Sequence, residues 1–470
     1  MHMLEKLASF ARSLWCDRRG NVALYWTVAA VPVIIAVGVA VDVSRAYFVR
    51  ERLYFALDAA GLAVGSSQGT QAEMEAVMQA YFDANYPAEA LGVPATPVLN
   101  LVESNGITTI TVSGEASIGT TFMRVAGIDD ITVGSSIEVT QETEGLELVL
   151  VLDVTGSMAG TKIAALRQAS RDLIEILFGN ETEKEFLKVG IVPYAATVNP
   201  GSIAPTLVPS EAANYDPTNE EAWKGCVLAR SYPHDSLDSS VADGGAWQRY
   251  NWQPAKDNWW PPADNTESLG NDRHSPNLGC PNAIVPLTNQ RAVLETTINA
   301  LISWHRGGTF SNIGMVWGWR VISPEEPFTE ALPYNTPKYD KAVILMTDGE
   351  NLYYQLPKDD YHVPLSQNEA QYISDYAAYQ RLDDGVLGTT SKTEARNILN
   401  ARLEEVCDDM AAQGIIIYTV TFQLSNATTL GFYERCAANG GRHFDAPTAD
   451  DLREDFQEIA DELKNLRVSR

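Results

Sequence analysis

Positive charge is scarce in this sequence. Its 470 residues include 34 lysines and arginines against 61 aspartates and glutamates, which gives a formal net charge of −27. A surface that binds nucleic acid needs clustered basic side chains to neutralise the phosphates. The charge balance therefore argues against nucleic acid as a partner and predicts a solvated acidic surface.

Histidine and cysteine are scarce as well. The six histidines are scattered without the spacing of metal ligands, and none of the five cysteines belongs to a C-x-x-C pair. These absences argue against a zinc site or a thioredoxin-type redox site. Four cysteines lie in the last 245 residues of the chain, Cys226, Cys280, Cys407 and Cys436. Two disulfides are the hypothesis if this part is exported, and buried free thiols are the alternative.

One long segment has no charged residue until its last position. It runs as "NVALYWTVAAVPVIIAVGVAVD" and is uncharged from Asn21 until Asp42, about the length that a helix needs to span a bilayer. We predict a retained transmembrane helix over residues 21–42, with residues 1–20 in the cytoplasm. The basic residues ahead of the segment slightly favour this orientation, and Cys16 would then lie on the reducing side.

The rest of the chain divides into two patterns. Residues 43–144 contain two helical stretches and then short alternating runs joined by Asn105-Gly106, a strong hairpin signal. They predict a small membrane-proximal α+β module. Residues 145–470 alternate near-continuous apolar strands with helices. This pattern predicts an α/β domain with a doubly wound, mostly parallel sheet.

Two irregular stretches interrupt the α/β pattern, at about 200–286 and 350–390. The first is rich in tryptophan and the second in tyrosine. Long irregular connections in a compact domain are often functional. We predict two insertions, whose aromatic side chains serve either as a recognition surface or as the cores of the insertions.

Oxygen-bearing side chains occur where three predicted elements meet one edge of the sheet. Asp153 ends an apolar strand and is followed by Thr155 and Ser157, Thr309 follows a glycine pair, and Asp348 ends a second apolar strand. The carboxyl ends of parallel strands are where such folds bind ligands. The five oxygens suit a hard divalent cation, Mg²⁺ first, with Mn²⁺ and Ca²⁺ as alternatives. Ordinary turn and helix-cap chemistry is the competing interpretation.

These residues resemble a known site. "DVTGS", with the later "GGT" and "TDG", resembles the metal-ion-dependent adhesion site (MIDAS) of von Willebrand factor A (VWA) domains, although Thr155 replaces the usual serine. The resemblance implies a Rossmann-like VWA fold in which Thr155, Ser157 and Thr309 contact the cation directly. Asp153 and Asp348 would act through water. It also implies a protein ligand that supplies an acidic residue to the cation.

The N-terminal stretch carries a second resemblance. "RRGNVALYWTVAAVPVIIAVGVAVDVSRAYFVRERLYFALDAAGLAV" is similar to TadG-like proteins of bacterial tight-adherence (Tad/Flp) pilus assembly. "WKGCV" and "HFDAPTADDL" resemble the same family's VWA part. Prepilins have a glutamate where Tyr25 stands, so we expect a retained anchor rather than a processed pilin. The expected location is the bacterial inner membrane, with a single pass and the bulk of the chain in the periplasm.

The expected function is that of a membrane-anchored, divalent-cation-dependent protein-binding module acting in Flp pilus assembly or surface adhesion. Its partners would include pilus-assembly components. The alternative is a structural scaffold in which the metal only staples the fold. An enzyme is not expected. A metal-dependent hydrolase is the remote alternative, because Thr155 stands where a haloacid-dehalogenase phosphatase needs a second aspartate.

Overall fold

The computed structural model describes most of the chain as two compact units, Met1–Thr143 and Glu144–Arg470. The described residues are 21–67, 71–87, 92–104, 107–142, 145–219, 221–258, 274–355 and 372–466. The predicted cytoplasmic segment 1–20 and the Asn105-Gly106 turn lie outside them. So do residues 259–273 and 356–371 of the two predicted insertions.

The N-terminal unit begins with one continuous helix, α1 (Asn21–Gly65). The predicted membrane segment and the helix that follows it are therefore a single element. Its Tyr25–Gly65 part is long and apolar enough to cross a membrane, judged by length and composition, and only 11% of its most apolar window is buried within the protein.

The second half of α1 packs on a small antiparallel sheet. Val49, Leu53, Leu57, Ala60 and Val64 are buried there at helical spacing. The remaining elements of the unit are α2 (Gln71–Asn85), β1 (Val93–Pro94), β2 (Val98–Ser104), β3 (Ile107–Gly119) and β4 (Asp130–Glu142). β3 is central, since β1, β2 and β4 all pair with it. The register pairs Ser104 with Ile107, as a two-residue hairpin connection requires.

The C-terminal unit is built on a six-stranded sheet. From edge to edge its strands are β12 (His443–Ala446), β11 (Ile416–Phe422), β9 (Tyr339–Thr347), β5 (Gly145–Asp153), β6 (Leu187–Tyr194) and β7 (Val285–Thr288). Every neighbouring pair is parallel except β6 and β7. In chain order the strands read 6-5-4-1-2-3, the doubly wound order. The predicted α/β fold class is confirmed.

Helices cover both faces of this sheet. They are α3 (Thr161–Phe178), α4 (Ala204–Leu207), α5 (Val241–Gly244), α6 (Arg291–Ala300), α7 (Ser311–Ile322), α8 (Lys392–Ala412), α9 (Ala427–Cys436) and α10 (Ala449–Leu466). The side chains of β5 alternate between the two faces: Leu148 and Leu150 lie in the core with α3, α6 and α10, and Val149 and Val151 lie in the core with α7 and α8. Burial on both faces explains why the strand reads as a continuous apolar run.

The described part of the first insertion is packed rather than open. Its Trp223, Trp247 and Trp252 are all buried, so these tryptophans form a core rather than a recognition surface. Cys226 and Cys280 are joined with Cα atoms 5.8 Å apart. A second disulfide joins Cys407 of α8 to Cys436 of α9, with Cα atoms 5.3 Å apart.

Candidate metal centre

The two carboxylates of the predicted site lie at the ends of neighbouring strands. Asp153 is the last residue of β5, and Asp348 directly follows β9. The parallel register pairs Leu152 with Met346, which brings the two strand ends side by side. Both aspartates are buried.

Hydroxyl groups connect these carboxylates. Thr155 Oγ1 donates to Asp153 Oδ1 at 2.6 Å and lies 2.9 Å from Ser157 Oγ. Ser157 Oγ donates to Asp348 Oδ1 at 2.6 Å. Four of the five predicted residues thus form one chain of hydrogen-bonding groups, and the chain reaches solvent at the exposed Ser157.

The four hydrogen-bonded residues contain too few protons for their contacts, which favours a positive ion among them. The two hydroxyl groups supply two protons for three close oxygen–oxygen contacts, and ionised carboxylates supply none. When both aspartates are charged, the Thr155 and Ser157 oxygens therefore face each other through lone pairs. Either a proton on a carboxylate or a cation among the oxygens relieves this repulsion.

The electrostatics agree with the proton count. Burial, followed by the negative charge of Asp348, raises the pKa of Asp153 to about 7, against the opposing effect of hydrogen bonds from Thr155 and Thr347. A positive side chain also lies beside the carboxylates: Lys162, in the first turn of α3, places its Nζ 2.7 Å from Asp348 Oδ2.

Thr309, the fifth predicted residue, lies in β8 (Gly308–Thr309), which pairs with β10 (Leu352–Tyr353). Within the described part of the chain, no hydrogen bond joins its side chain to the other four residues. Thr309 instead lines the same cavity as Thr155 and Ser157, a space of about 390 Å³ whose wall also includes His305 and Tyr354.

Glycine allows the loops around the cavity to approach closely. A Cβ on Gly156 would come within 2.9 Å of the His305 Cα. Gly308 has a φ of +127°, and a Cβ there would lie 2.1 Å from the Leu352 carbonyl oxygen. The backbone of Trp304 completes the contact by donating to the Val154 carbonyl at 2.7 Å.

A buried ionic network holds the loop that carries Thr309. Arg306 Nε and Nη2 donate to the Asp375 carboxylate at 2.7 and 2.9 Å, and the Gly307 amide donates to it at 3.2 Å. Asp257 accepts two hydrogen bonds from Arg381, at 2.7 and 2.8 Å. The network therefore joins both insertions to this loop.

Sequence reasoning missed four residues that shape the site. Thr347 Oγ1 donates to Asp153 Oδ2 at 2.7 Å, and it stands in the recognised "TDG" motif. Lys162 has a weak signal, a cation in the first turn after the site loop. Arg306 and Asp375 are separated by 69 residues, and nothing in the sequence indicates that they pair.

The donor set fits a hard cation. Among the described residues, no group of three or more histidine, cysteine, aspartate or glutamate side chains forms a metal cluster. The candidate site instead combines two carboxylates with hydroxyl oxygens, which suits Mg²⁺, Mn²⁺ or Ca²⁺ rather than softer metals.

Comparison with known proteins gives one family match. Residues 20–67 match the Tad family model, described as "Putative Flp pilus-assembly TadE/G-like". A search of curated proteins found no match.

Solved structures with similar folds include several VWA-type domains. The vWF domain of the type V pili tip protein Mfa5 from Porphyromonas gingivalis is 13% identical, with 70% of this chain and 97% of that chain covered and a TM-score of 0.39. The pilus adhesin SpaC from Lactobacillus rhamnosus GG is 12% identical, with 79% and 34% covered and a TM-score of 0.37. Proximal thread matrix protein 1 from the mussel byssus, with a zinc-occupied MIDAS motif, is 10% identical, with 68% and 46% covered and a TM-score of 0.31.

At these identities and TM-scores the similarities carry no functional information about this chain. Its own sheet supplies the evidence for the second domain: a doubly wound order, one antiparallel edge strand, and an Asp-x-Thr-x-Ser loop at the carboxyl end of the first strand. The chain is similar to TadE/G-like proteins over residues 20–67, and the strand order of its C-terminal unit is the one that the resemblance to von Willebrand factor A domains predicts.

Proposed function

We propose that the C-terminal unit binds partner proteins through a divalent cation, most simply Mg²⁺, and that helix α1 anchors it to a bacterial inner membrane. The observation that carries this proposal is the chain of Asp153, Thr155, Ser157 and Asp348, which has fewer protons than close oxygen contacts. A cation supplies the missing positive charge. Residues that only form turns or helix caps do not need two buried carboxylates bridged by the hydroxyl groups of Thr155 and Ser157.

Each residue has a specific task in this proposal. Two hydrogen bonds orient the Asp153 carboxylate: Thr347 Oγ1 donates to Oδ2 at 2.7 Å, and the Thr155 amide donates to Oδ1 at 2.9 Å. Thr155, Ser157 and Thr309 line the cavity, and their hydroxyl oxygens would bind the cation. A bound divalent cation would supply an electrophilic centre that accepts a carboxylate from a partner.

The cavity gives such a carboxylate a route to the site. It has room for one acidic side chain of a partner protein, and Tyr354 and His305 in its wall offer polar contacts. Binding rather than catalysis is the proposed activity. The family match at residues 20–67 supports a role among Flp pilus-assembly components or in surface adhesion.

Thermal unfolding of the full chain in detergent tests the metal site. We expect the midpoint for the C-terminal unit to rise by several degrees when EDTA is replaced by saturating Mg²⁺, because a ligand at about 100 times its dissociation constant adds roughly 2.7 kcal/mol of stability. Asp153→Asn and Asp348→Asn should abolish the rise.

Asp340→Asn is the matched control, because Asp340 lies on β9 at the end of the strand away from the site. This variant should keep the full cation response. A rise that persists in Asp153→Asn and Asp348→Asn would place the cation elsewhere. The absence of any rise would mean that the five residues serve only as turn and helix-cap residues and bind no metal.

A second measurement separates an open site from a structural staple. Mn²⁺ bound with an exchangeable water enhances proton relaxation of the solvent, and adding glutarate as a carboxylate probe should lower this enhancement. A staple, in which protein atoms saturate the cation, would show little enhancement and no glutarate effect.

A further inference from the structure

The connection between β3 and β4 exposes apolar side chains. We call residues 120–129, which include a short 3₁₀ helix at Met123–Ala126, the apolar tip. Phe122, Val125 and Ile128 are 46%, 89% and 43% exposed. Three large apolar side chains on one short connection are unusual for a surface that faces water alone.

The apolar tip lies directly against α1. The backbone amides of Thr121, Phe122 and Met123 donate to the Asp42 carboxylate at 3.0, 2.8 and 2.8 Å. Asp42 is buried by this contact. One helical turn earlier, Gly38 gives Phe122 room, since a Cβ on Gly38 would lie 2.5 Å from the Phe122 Cβ.

This contact coincides with the end of the apolar segment. Asp42 is the first charged residue after Asn21, and a helix crosses a hydrocarbon core of about 30 Å in about 20 residues. The membrane boundary therefore falls near Asp42. Gly38 lies four residues, or about 6 Å, deeper into the bilayer by helical rise, so Phe122 reaches below the boundary.

The surroundings of the tip have the polarity of a membrane interface. Exposed apolar side chains of α1, including Ile34, Val37 and Val41, lie on the membrane side of Asp42. Arg45 lies on the other side and donates to Thr121 Oγ1 at 2.7 Å. Exposed aromatic side chains of α1, Tyr47 and Phe48, follow Arg45, and basic and aromatic side chains together are typical of the headgroup region.

We propose that the apolar tip inserts into the membrane beside α1 and forms a second contact between the N-terminal unit and the lipid. The inference rests on the proposed anchoring by α1. The three amide donors stabilise the charged Asp42 carboxylate at the boundary, and Phe122, Val125 and Ile128 enter the lipid. With both α1 and the apolar tip in the membrane, the tilt of the N-terminal unit relative to the membrane is fixed. A single helix would leave the unit free to rotate.

Depth-dependent fluorescence quenching of the full chain in phospholipid nanodiscs tests the inference. Cys16→Ser removes the thiol outside the disulfides, and a single cysteine then carries an NBD label at Val125, Val37 or Val98. All three positions are exposed, so labelling does not disturb a core. Val37 lies in α1, and Val98 lies on β2 as the matched exposed valine away from the tip.

We expect doxyl-labelled lipids to quench NBD at residues 125 and 37 strongly and NBD at residue 98 several-fold less. Quenching at 37 with a solvent-like signal at 125 would overturn the tip proposal and leave the anchor intact. No quenching at 37 would overturn the anchor itself. A blue-shifted label at 125 that lipid doxyl groups do not quench would show the tip against a second protein chain, which also overturns the proposal.

Discussion

Lys162 is the residue that competes most directly with a cation at the candidate site. Its ammonium group lies 2.7 Å from Asp348 Oδ2, and Asp348 is buried. A cation that uses Asp348 must share the carboxylate with Lys162 or displace it. The lysine thus stabilises the cation-free site, and in the proposed metal site it would lower the affinity for the cation.

Lys162→Met should therefore strengthen cation binding. We expect the dissociation constant for Mn²⁺, measured by titration calorimetry, to fall about tenfold, which corresponds to about 1.4 kcal/mol. Lys184→Met is the control, since Lys184 pairs with Glu181 after the end of α3 at 3.2 Å. Unchanged or weaker binding in Lys162→Met would show that Lys162 does not compete with the cation.

At the scale of elements, the loop that carries Thr309 depends on the insertions. Arg306 and Asp375 are both about 1% exposed, and Asp375 also accepts the Gly307 amide. A buried charge without its partner is expensive. The irregular segments therefore act as supports for the site rather than as appendages.

Asp375→Asn should destabilise the C-terminal unit by about 3 kcal/mol, because it leaves Arg306 without its bidentate partner. The thermal midpoint of the full chain gives the stability change, and Mn²⁺ titration should show weaker binding. The control, Glu404→Gln, breaks an exposed pair with Arg435 and should cost about 1 kcal/mol or less. Equal, small effects in both variants would contradict the supporting role.

Helix α10 contains a carboxyl group that opposes folding at neutral pH. Partial burial, followed by the negative charges of Asp451 and Glu458, raises the pKa of Asp455 to about 6. The folded state therefore holds this proton more tightly than the unfolded chain, whose aspartates titrate near 3.9. This contribution to stability is complete below about pH 4 and is lost as the pH rises to about 6.

Asp455→Asn should raise the unfolding midpoint at pH 7 by a few degrees and flatten its decline between pH 4 and 6. Thermal scans across this pH range check the expectation. Asp461→Asn, at an exposed position on the same helix, should leave the profile unchanged. A pH profile of Asp455→Asn parallel to that of the wild type would contradict the assignment.

For the whole molecule, the cysteines report on orientation. Both disulfides lie in the C-terminal unit, and they close loops of 54 and 29 residues. Cys16 precedes the apolar segment. Disulfides persist outside the reducing cytoplasm, so the proposed topology places the two groups of cysteines on opposite sides of the membrane.

In cells, a membrane-impermeant maleimide should label one thiol per chain, and only after permeabilisation. After reduction of the denatured chain, five thiols should react. Five reactive thiols without reduction would instead place the C-terminal unit in a reducing compartment.

Removing the Cys226–Cys280 bridge by a double Ser substitution should lower the free energy of unfolding by about 4 kcal/mol by the loop-entropy relation.

The sequence alone determined the elements with strong local signals. The alternation of apolar strands with helices predicted an α/β domain, and helices α3 and α7 lie within it at Thr161–Phe178 and Ser311–Ile322. Strands β5 and β9 were evident because burial on both faces makes them continuous apolar runs. Short elements such as β7, α9 and β12 were not predicted, because four to ten residues carry little periodicity.

The site divides in the same way. Asp153, Thr155, Ser157 and Asp348 stand in local motifs at strand ends, and the direction of parallel strands was enough to bring them to one edge. Only the tertiary structure decided that Lys162 pairs with Asp348 and that Arg306 pairs with Asp375. Those contacts join residues distant in sequence, and the chain's packing, which no local pattern encodes, creates them. The contact between the apolar tip and Asp42 was decided in the same way.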